Sequence, residues 1–159
     1  MMDTIKAKHP KRLNLLVRVL IVMGMLLGLA LGVYATILVV SEFVHWWDGG
    51  GMQRWQLAAS YAAMLLSLAG AEYIGLTLYR MMQTLESDPF VEWNVAAFRR
   101  MGITALCITA LCLLTLVFWP VPLAVLASLP IGMCGLFSIV LSRVFARAVA
   151  YKQENDLTV

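Results

Sequence analysis

The sequence predicts an all-α fold: an integral-membrane four-helix bundle made of two transmembrane hairpins, with both termini in the cytoplasm. Three observations carry that expectation. Of 159 residues, 62% are hydrophobic and only 13% charged, with a mean hydropathy of +0.84; a soluble domain keeps about a quarter of its residues charged. The missing charge is concentrated in four runs. Residues 15–44 hold only Arg18 and Glu42, residues 57–79 only Glu72, and residues 101–122 and 123–142 none. The third observation is the side on which the cations fall. Lys6, Lys8, Lys11, Arg12, Arg18, Arg80, Arg99, Arg100, Arg143, Arg147 and Lys152 lie on one side of those runs, and Arg54 alone on the other.

A bilayer core about 30 Å thick is crossed by about 20 apolar helical residues. Water is absent there, so the backbone must satisfy its own hydrogen bonds, and runs of this length do so as helices. The whole chain, 1–159, reads as one membrane domain with spans at about 16–41, 56–80, 98–119 and 122–143. A cytoplasmic helical extension follows over 144–153 and a tail over 154–159. Because Lys and Arg stay on the cytoplasmic side, the net charge of +3 reports topology, and direct nucleic-acid binding is not expected. The bacterial inner membrane is the expected location, with the lipid bilayer as first partner.

The first 12 residues form a polar arm in which His9-Pro10 discourages helix before the first span. A cleaved signal peptide has an apolar stretch of about 7–15 residues; this one is far longer, which favours an uncleaved anchor. Trp46 and Trp47 are placed to anchor at the outer interface, and Gly49-Gly50-Gly51 makes a flexible turn. Trp55 then opens the second span. Trp119-Pro120-Val121-Pro122 turns the chain between spans three and four. Pro130 should kink the last span, since it has no N–H for the carbonyl of Leu126. On the cytoplasmic side, Asp88-Pro89 predicts a helix start, an N-cap carboxylate followed by a proline at the first helical position.

Each half of the chain enters from a basic stretch and leaves through an acidic one, LESDPF and QENDLTV. That is compatible with a parallel internal repeat and equally with any two in-out-in hairpins obeying the charge rule. Small residues recur at intervals of four on span one (Gly24, Gly28, Gly32, then Thr36) and on span two (Ala59, Ala63, Ser67, Ala71, Gly75). Small residues let helices approach closely in lipid, so spans one and two are expected to form a tight pair. The same stripes admit self-association between copies.

Glu72 is the costliest residue, eight positions from Arg80 and so about 12 Å inside that helix end. An intramembrane carboxylate is paired, neutral, or functional. Arg18 enters from the same side and is the expected partner; hydrogen bonding to Tyr73 or Thr77 and a proton, cation or ligand site are the other readings. Glu42, His45 and Asp48 are spaced by three and form a marginal divalent-metal candidate, with an ordinary polar boundary favoured. Cys107, Cys112 and Cys134 lie inside spans without disulfide or metal spacing. No nucleophile–base pair, phosphate loop or zinc motif occurs, so neither an enzyme nor a cofactor is expected.

Two cytoplasmic stretches carry a resemblance. Asp88-Pro-Phe-Val-Glu-Trp-Asn94 followed by Phe98-Arg-Arg-Met-Gly-Ile103, and Val144-Phe-Ala-Arg-Ala-Val-Ala-Tyr-Lys-Gln-Glu-Asn-Asp-Leu-Thr-Val159, resemble the small bacterial four-span membrane proteins of domain-of-unknown-function family 2975. The chain departs from the pattern in carrying the bulky Trp93 before Asn94. The resemblance implies no activity. It implies a neighbour, a small helix-turn-helix regulator, for which the membrane protein would hold or sense. Docking residues on this reading are Asp88, Pro89, Phe90 and Asn94, with Glu154, Asn155, Asp156, Leu157, Thr158 and Val159. Asn155 is expected to end the last helix, leaving Asp156–Val159 extended for strand addition or groove docking. The alternatives are a small transporter or channel-like oligomer using Glu72 with Pro130 as a helix break, and a structural subunit of a larger complex.

Overall fold

The computed structural model describes residues 9–45, 51–84, 90–118 and 122–156. They form four helices: α1 (His9–His45), α2 (Gly51–Thr84), α3 (Glu92–Phe118) and α4 (Pro122–Asp156). All four are long and apolar enough to cross a membrane, and there is no strand among the described residues. The fold is an all-α four-helix bundle built as an open row. α1 packs on α2, α2 on α3 and α3 on α4, and among the described residues no other pair of helices makes backbone contact.

Three helix limits differ from the sequence expectation. α1 already begins at His9, because proline is tolerated in a first turn, where its missing N–H would have had no partner anyway. α3 begins at Glu92 rather than at Pro89. The Asn94 N–H donates to the Val91 carbonyl at 3.0 Å, which closes the first turn there, and the Glu92 carboxylate sits where the helix dipole favours a negative charge. α4 runs through Pro130 to Asp156 as one helix, so Asn155 lies inside it rather than at its end. With 35 residues it is about 52 Å long, well beyond the thickness of the hydrocarbon.

The two outer contacts in the row are made differently. Between α1 and α2, Gly28 and Gly32 act as holes. A Cβ at Gly28 would stand 2.8 Å from Glu72 Oε1, one at Gly32 would run into Leu68 Cδ2, and in return Met25 fills the gap over Gly75. These pairs step forward along α1 and backward along α2, so the helices are antiparallel. Tyr61 donates to Thr36 Oγ1 at 2.9 Å, and that hydroxyl passes its own proton to the Gly32 carbonyl at 2.8 Å.

Between α3 and α4 the backbones themselves meet. A Cβ on Gly102 would lie 2.7 Å from the Gly135 carbonyl oxygen, and one on Gly135 would lie 3.0 Å from that of Gly102. Serine hydroxyls of α4 reach across at the same depth: Ser138 donates to the Phe98 carbonyl and Ser142 to the Val95 carbonyl, each at 2.8 Å. Further along, Gly132 receives Thr109. The hydroxyl of Thr109 bonds its own helix at Ala105 and stands 3.4 Å from the Ser128 carbonyl. Among the described residues the closest backbone approach is therefore that of α3 and α4, while α1 and α2 pair through their glycines as expected. The core follows α3, where Asn94, Ala97, Met101, Gly102, Ala105 and Ile108 are buried. α1 exposes apolar side chains on most of its surface, as expected where the solvent is lipid.

Gly102→Ala should lower stability by about 1–3 kcal/mol, because the added methyl meets backbone that cannot swing away. Gly24→Ala, with nothing within 4 Å of the new methyl, should cost nothing and gain up to about 1 kcal/mol of helix propensity. Unfolding of both variants by SDS in mixed micelles checks the contrast; equal losses would contradict it.

Candidate functional site

The antiparallel row gathers the start of α1, the end of α2, the start of α3 and the end of α4 at one end. Arg18, Arg80, Arg99, Arg100, Arg143, Arg147 and Lys152 all belong to that end, while Arg54 belongs to the other. The two sequence stretches 88–94 and 144–159 converge there. Phe145 of α4 lies against both Phe90 and Phe98, with ring centroids at 6.0 and 5.1 Å. Gln153 Nε2 donates to the Glu92 carboxylate at 3.3 Å. Phe90, Trp93, Tyr151, Glu154 and Asn155 remain exposed, so the convergence presents aromatic and polar groups side by side.

Asn94 does something else. Its side chain is completely buried, and its Oδ1 accepts a hydrogen bond from Thr84 Oγ1 at 2.7 Å, a hydroxyl that also lies 2.8 Å from the Met81 carbonyl. Asn94 therefore pins the end of α2 to the start of α3 and has no surface to offer a partner. Asp88, Pro89, Leu157, Thr158, Val159 and, at the opposite end, Asp48 lie outside the described residues. So do Trp46, Trp47, Gly49, Gly50, Trp119, Pro120 and Val121. Glu42 and His45 belong to the last turn of α1. Among the described residues no three His, Cys, Asp or Glu side chains come together.

The expected Arg18–Glu72 pair does not form. Arg18 Nη2 donates to the Met82 carbonyl at 3.2 Å, near the end of α2. Glu72 faces Gly28, ten residues further along α1, so about 15 Å of helix separates the two sites. Tyr73 and Thr77 do not hold Glu72 either, since the Thr77 hydroxyl bonds the Tyr73 carbonyl at 2.8 Å. Glu72 is half-buried, with its carboxylate tip over Gly28, where the missing side chain leaves it room. Of the predicted packing residues, Gly28, Gly32 and Gly75 are at the α1–α2 contact, while Gly24 and Ala71 are exposed and Ala63 and Ser67 half-buried.

Sequence reasoning missed the α3–α4 glycines and the groove beside them. Cavities of about 600 and 570 Å³ adjoin on one side of that helix pair, sharing Val95, Arg99, Ile103 and Ala146. Arg100 lines the first and Arg143 the second. The arginines were legible as charge but not as a cluster.

Residues 50–159 match the family model described as "Protein of unknown function (DUF2975)". No curated protein and no solved structure matches the chain.

Replacing a buried hydrogen-bonding side chain leaves its partner unsatisfied, at a cost of about 1–3 kcal/mol. Asn94→Ala should lower the unfolding midpoint in detergent by that order. Thr84→Ala should lower it less, and the double variant should fall short of the sum of the two. Strict additivity would show that the two side chains do not act together.

Proposed function

We propose, for a chain that belongs to the DUF2975 family of proteins of unknown function, a non-enzymatic role as a multi-pass membrane protein of the bacterial inner membrane. Its basic end faces the cytoplasm and holds a soluble partner there, a small helix-turn-helix regulator being the kind the family resemblance implies. One observation supports this reading above the others. Two stretches more than 50 residues apart are brought together at one end of the bundle through Phe90–Phe145 and Glu92–Gln153.

The physics of the end fits such a task. α4 is long enough to carry its last turns clear of the hydrocarbon, and it remains a helix there rather than a loose tail. The contact with Glu92 fixes where Glu154 and Asn155 stand relative to Phe90 and Trp93. A partner would meet a surface ordered before binding, which lowers the entropy lost on association. Regulation would follow if occupancy of the bundle by lipid or by another chain altered the α3–α4 end.

A second reading has its own support. Glu72 sits against Gly28 without a protein hydrogen-bond or ion partner among the described residues, and an intramembrane carboxylate is by default a functional candidate. On that reading the α1–α2 contact carries a proton or cation path in an oligomer.

The two readings part on which change matters. Gentle-detergent pull-downs from the native cell would compare the full-length chain, a chain lacking Asp156 to Val159, and Glu72→Gln. The docking role predicts that the full-length chain and Glu72→Gln recover the same soluble DNA-binding protein and the shortened chain does not. Recovery of only self-copies by all three would contradict docking. A pH-dependent flux in vesicles that disappears with Glu72→Gln would establish the second reading instead.

A further inference from the structure

We propose that the arginine-lined groove between α3 and α4 binds one anionic phospholipid. Its phosphate is held by Arg99, Arg100 and Arg143, and its acyl chains lie over Ile103 and Ile139. The inference stands apart from any soluble partner, because the groove opens beside the helices rather than beyond their ends.

Depth is the first argument. The charge-free run of α3 begins at Met101, immediately after Arg100, and that of α4 ends at Ser142, immediately before Arg143. The antiparallel contacts Ser138–Phe98 and Ser142–Val95 put the Arg143 backbone about five residues, roughly 8 Å, nearer water than that of Arg99, and both side chains line one cavity. The arginines therefore stand within about two turns of the level where the hydrocarbon ends and lipid phosphates lie. Ile103 is one turn deeper than Arg99, and Ile139 one turn deeper than Arg143.

Charge is the second. Arg99, Arg100 and Arg143 are exposed, and none of the three has a hydrogen-bond or ion partner among the described residues. Guanidinium groups grip phosphate oxygens through paired N–H donors. Arg99 and Arg100 line about 600 Å³ of open space and Arg99 and Arg143 the adjoining 570 Å³, so together they make a receptor for one phosphate rather than a dispersed positive surface. Basic pockets between transmembrane helices are a recognised means of selecting anionic headgroups.

The order of the lining is the third. Glu92 and Gln153 close the groove two turns above Arg99, about 10 Å towards water. The Glu92 carboxylate accepts from Gln153 and adds acceptor capacity at the level where headgroup hydroxyls would donate. From water inwards the groove thus runs acceptor, cation, apolar, matching hydroxyl, phosphate and acyl chain. The Glu92 charge also disfavours a second phosphate there, so one lipid per groove is expected.

Native mass spectrometry of the full-length chain tests the site, with phosphatidylglycerol and phosphatidylcholine of identical acyl chains titrated into the detergent. Wild type should retain one phosphatidylglycerol about tenfold more tightly than phosphatidylcholine. Arg99→Gln and Arg143→Gln should each remove most of that preference, and Arg99→Lys should restore part of it. Arg147→Gln, which takes the same charge from α4 outside the groove lining, should leave it unchanged. Melting midpoints of all variants within a few degrees of wild type would show that the loss is local. Equal retention of the two lipids would overturn the proposal, as would an Arg147→Gln effect as large as that of Arg99→Gln. So would displacement of the lipid by millimolar inorganic phosphate or glycerol phosphate alone, which would mark a site for free phosphate.

Discussion

The close approach of α3 and α4 at Gly102 and Gly135 is the constraint on which the rest of the basic end depends. Each glycine leaves room for the other's carbonyl oxygen, at separations no side chain would tolerate. Once the backbones are that near, short serine side chains reach the neighbouring helix, and their hydroxyls find there the carbonyl partners that lipid cannot offer. Those bonds fix the antiparallel register. The register in turn places Phe145 against Phe90 and Phe98, lets Gln153 reach Glu92, and brings Arg143 to the groove that Arg99 lines. Packing, polar bonding and the geometry of both proposed surfaces thus share one origin.

The α1–α2 contact works by another rule and has another consequence. Its glycines receive large side chains, so the helices stay further apart and share little surface beyond the seam. Such a contact is easier to remodel than a backbone-to-backbone one, because Leu68, Met25 and Glu72 can change rotamer while Gly102 and Gly135 have none to change. Placing the lone intramembrane carboxylate in the adaptable half and the arginine groove in the rigid half divides the molecule into two mechanical parts. α2 is bound to both, through Gly75 on one side and through Thr84 and Asn94 on the other.

Much of the architecture was legible in the sequence, and the reason is solvent. Charge-free runs longer than a bilayer is thick admit helices and little else, so four spans followed from composition alone. What composition does not reveal is where two helices approach most closely. Strict spacing by four advances about 40° around a helix at each step, so a long series leaves its own face: Gly24 points into open space while Gly28 and Gly32 meet α2. The α4 series Ser128, Gly132, Gly135, Ser138, Ser142 mixes fours and threes and so stays on one face, a pattern that a count by fours does not pick out. Arg18 and Glu72 share a hairpin and an entry side, yet partners are set by register, and the register separates them by about three turns. Asn94 stands out in the sequence as a docking candidate, yet its side chain is buried. Burial of a polar side chain depends on what the next helix offers, here Thr84, which no local pattern reveals.

Thiol cross-linking in native membranes tests most directly whether α3–α4 packing brings the two stretches to a common end. In a chain with Cys107, Cys112 and Cys134 replaced by alanine, Glu92→Cys with Gln153→Cys, whose native side chains meet only at their tips, should be joined within the chain by a short bismaleimide, a span that a disulfide does not reach. Arg18→Cys with Gln153→Cys, on helices that make no contact, should not. A bond in the second pair, or none in the first, would contradict the arrangement and with it both surfaces assigned to the basic end.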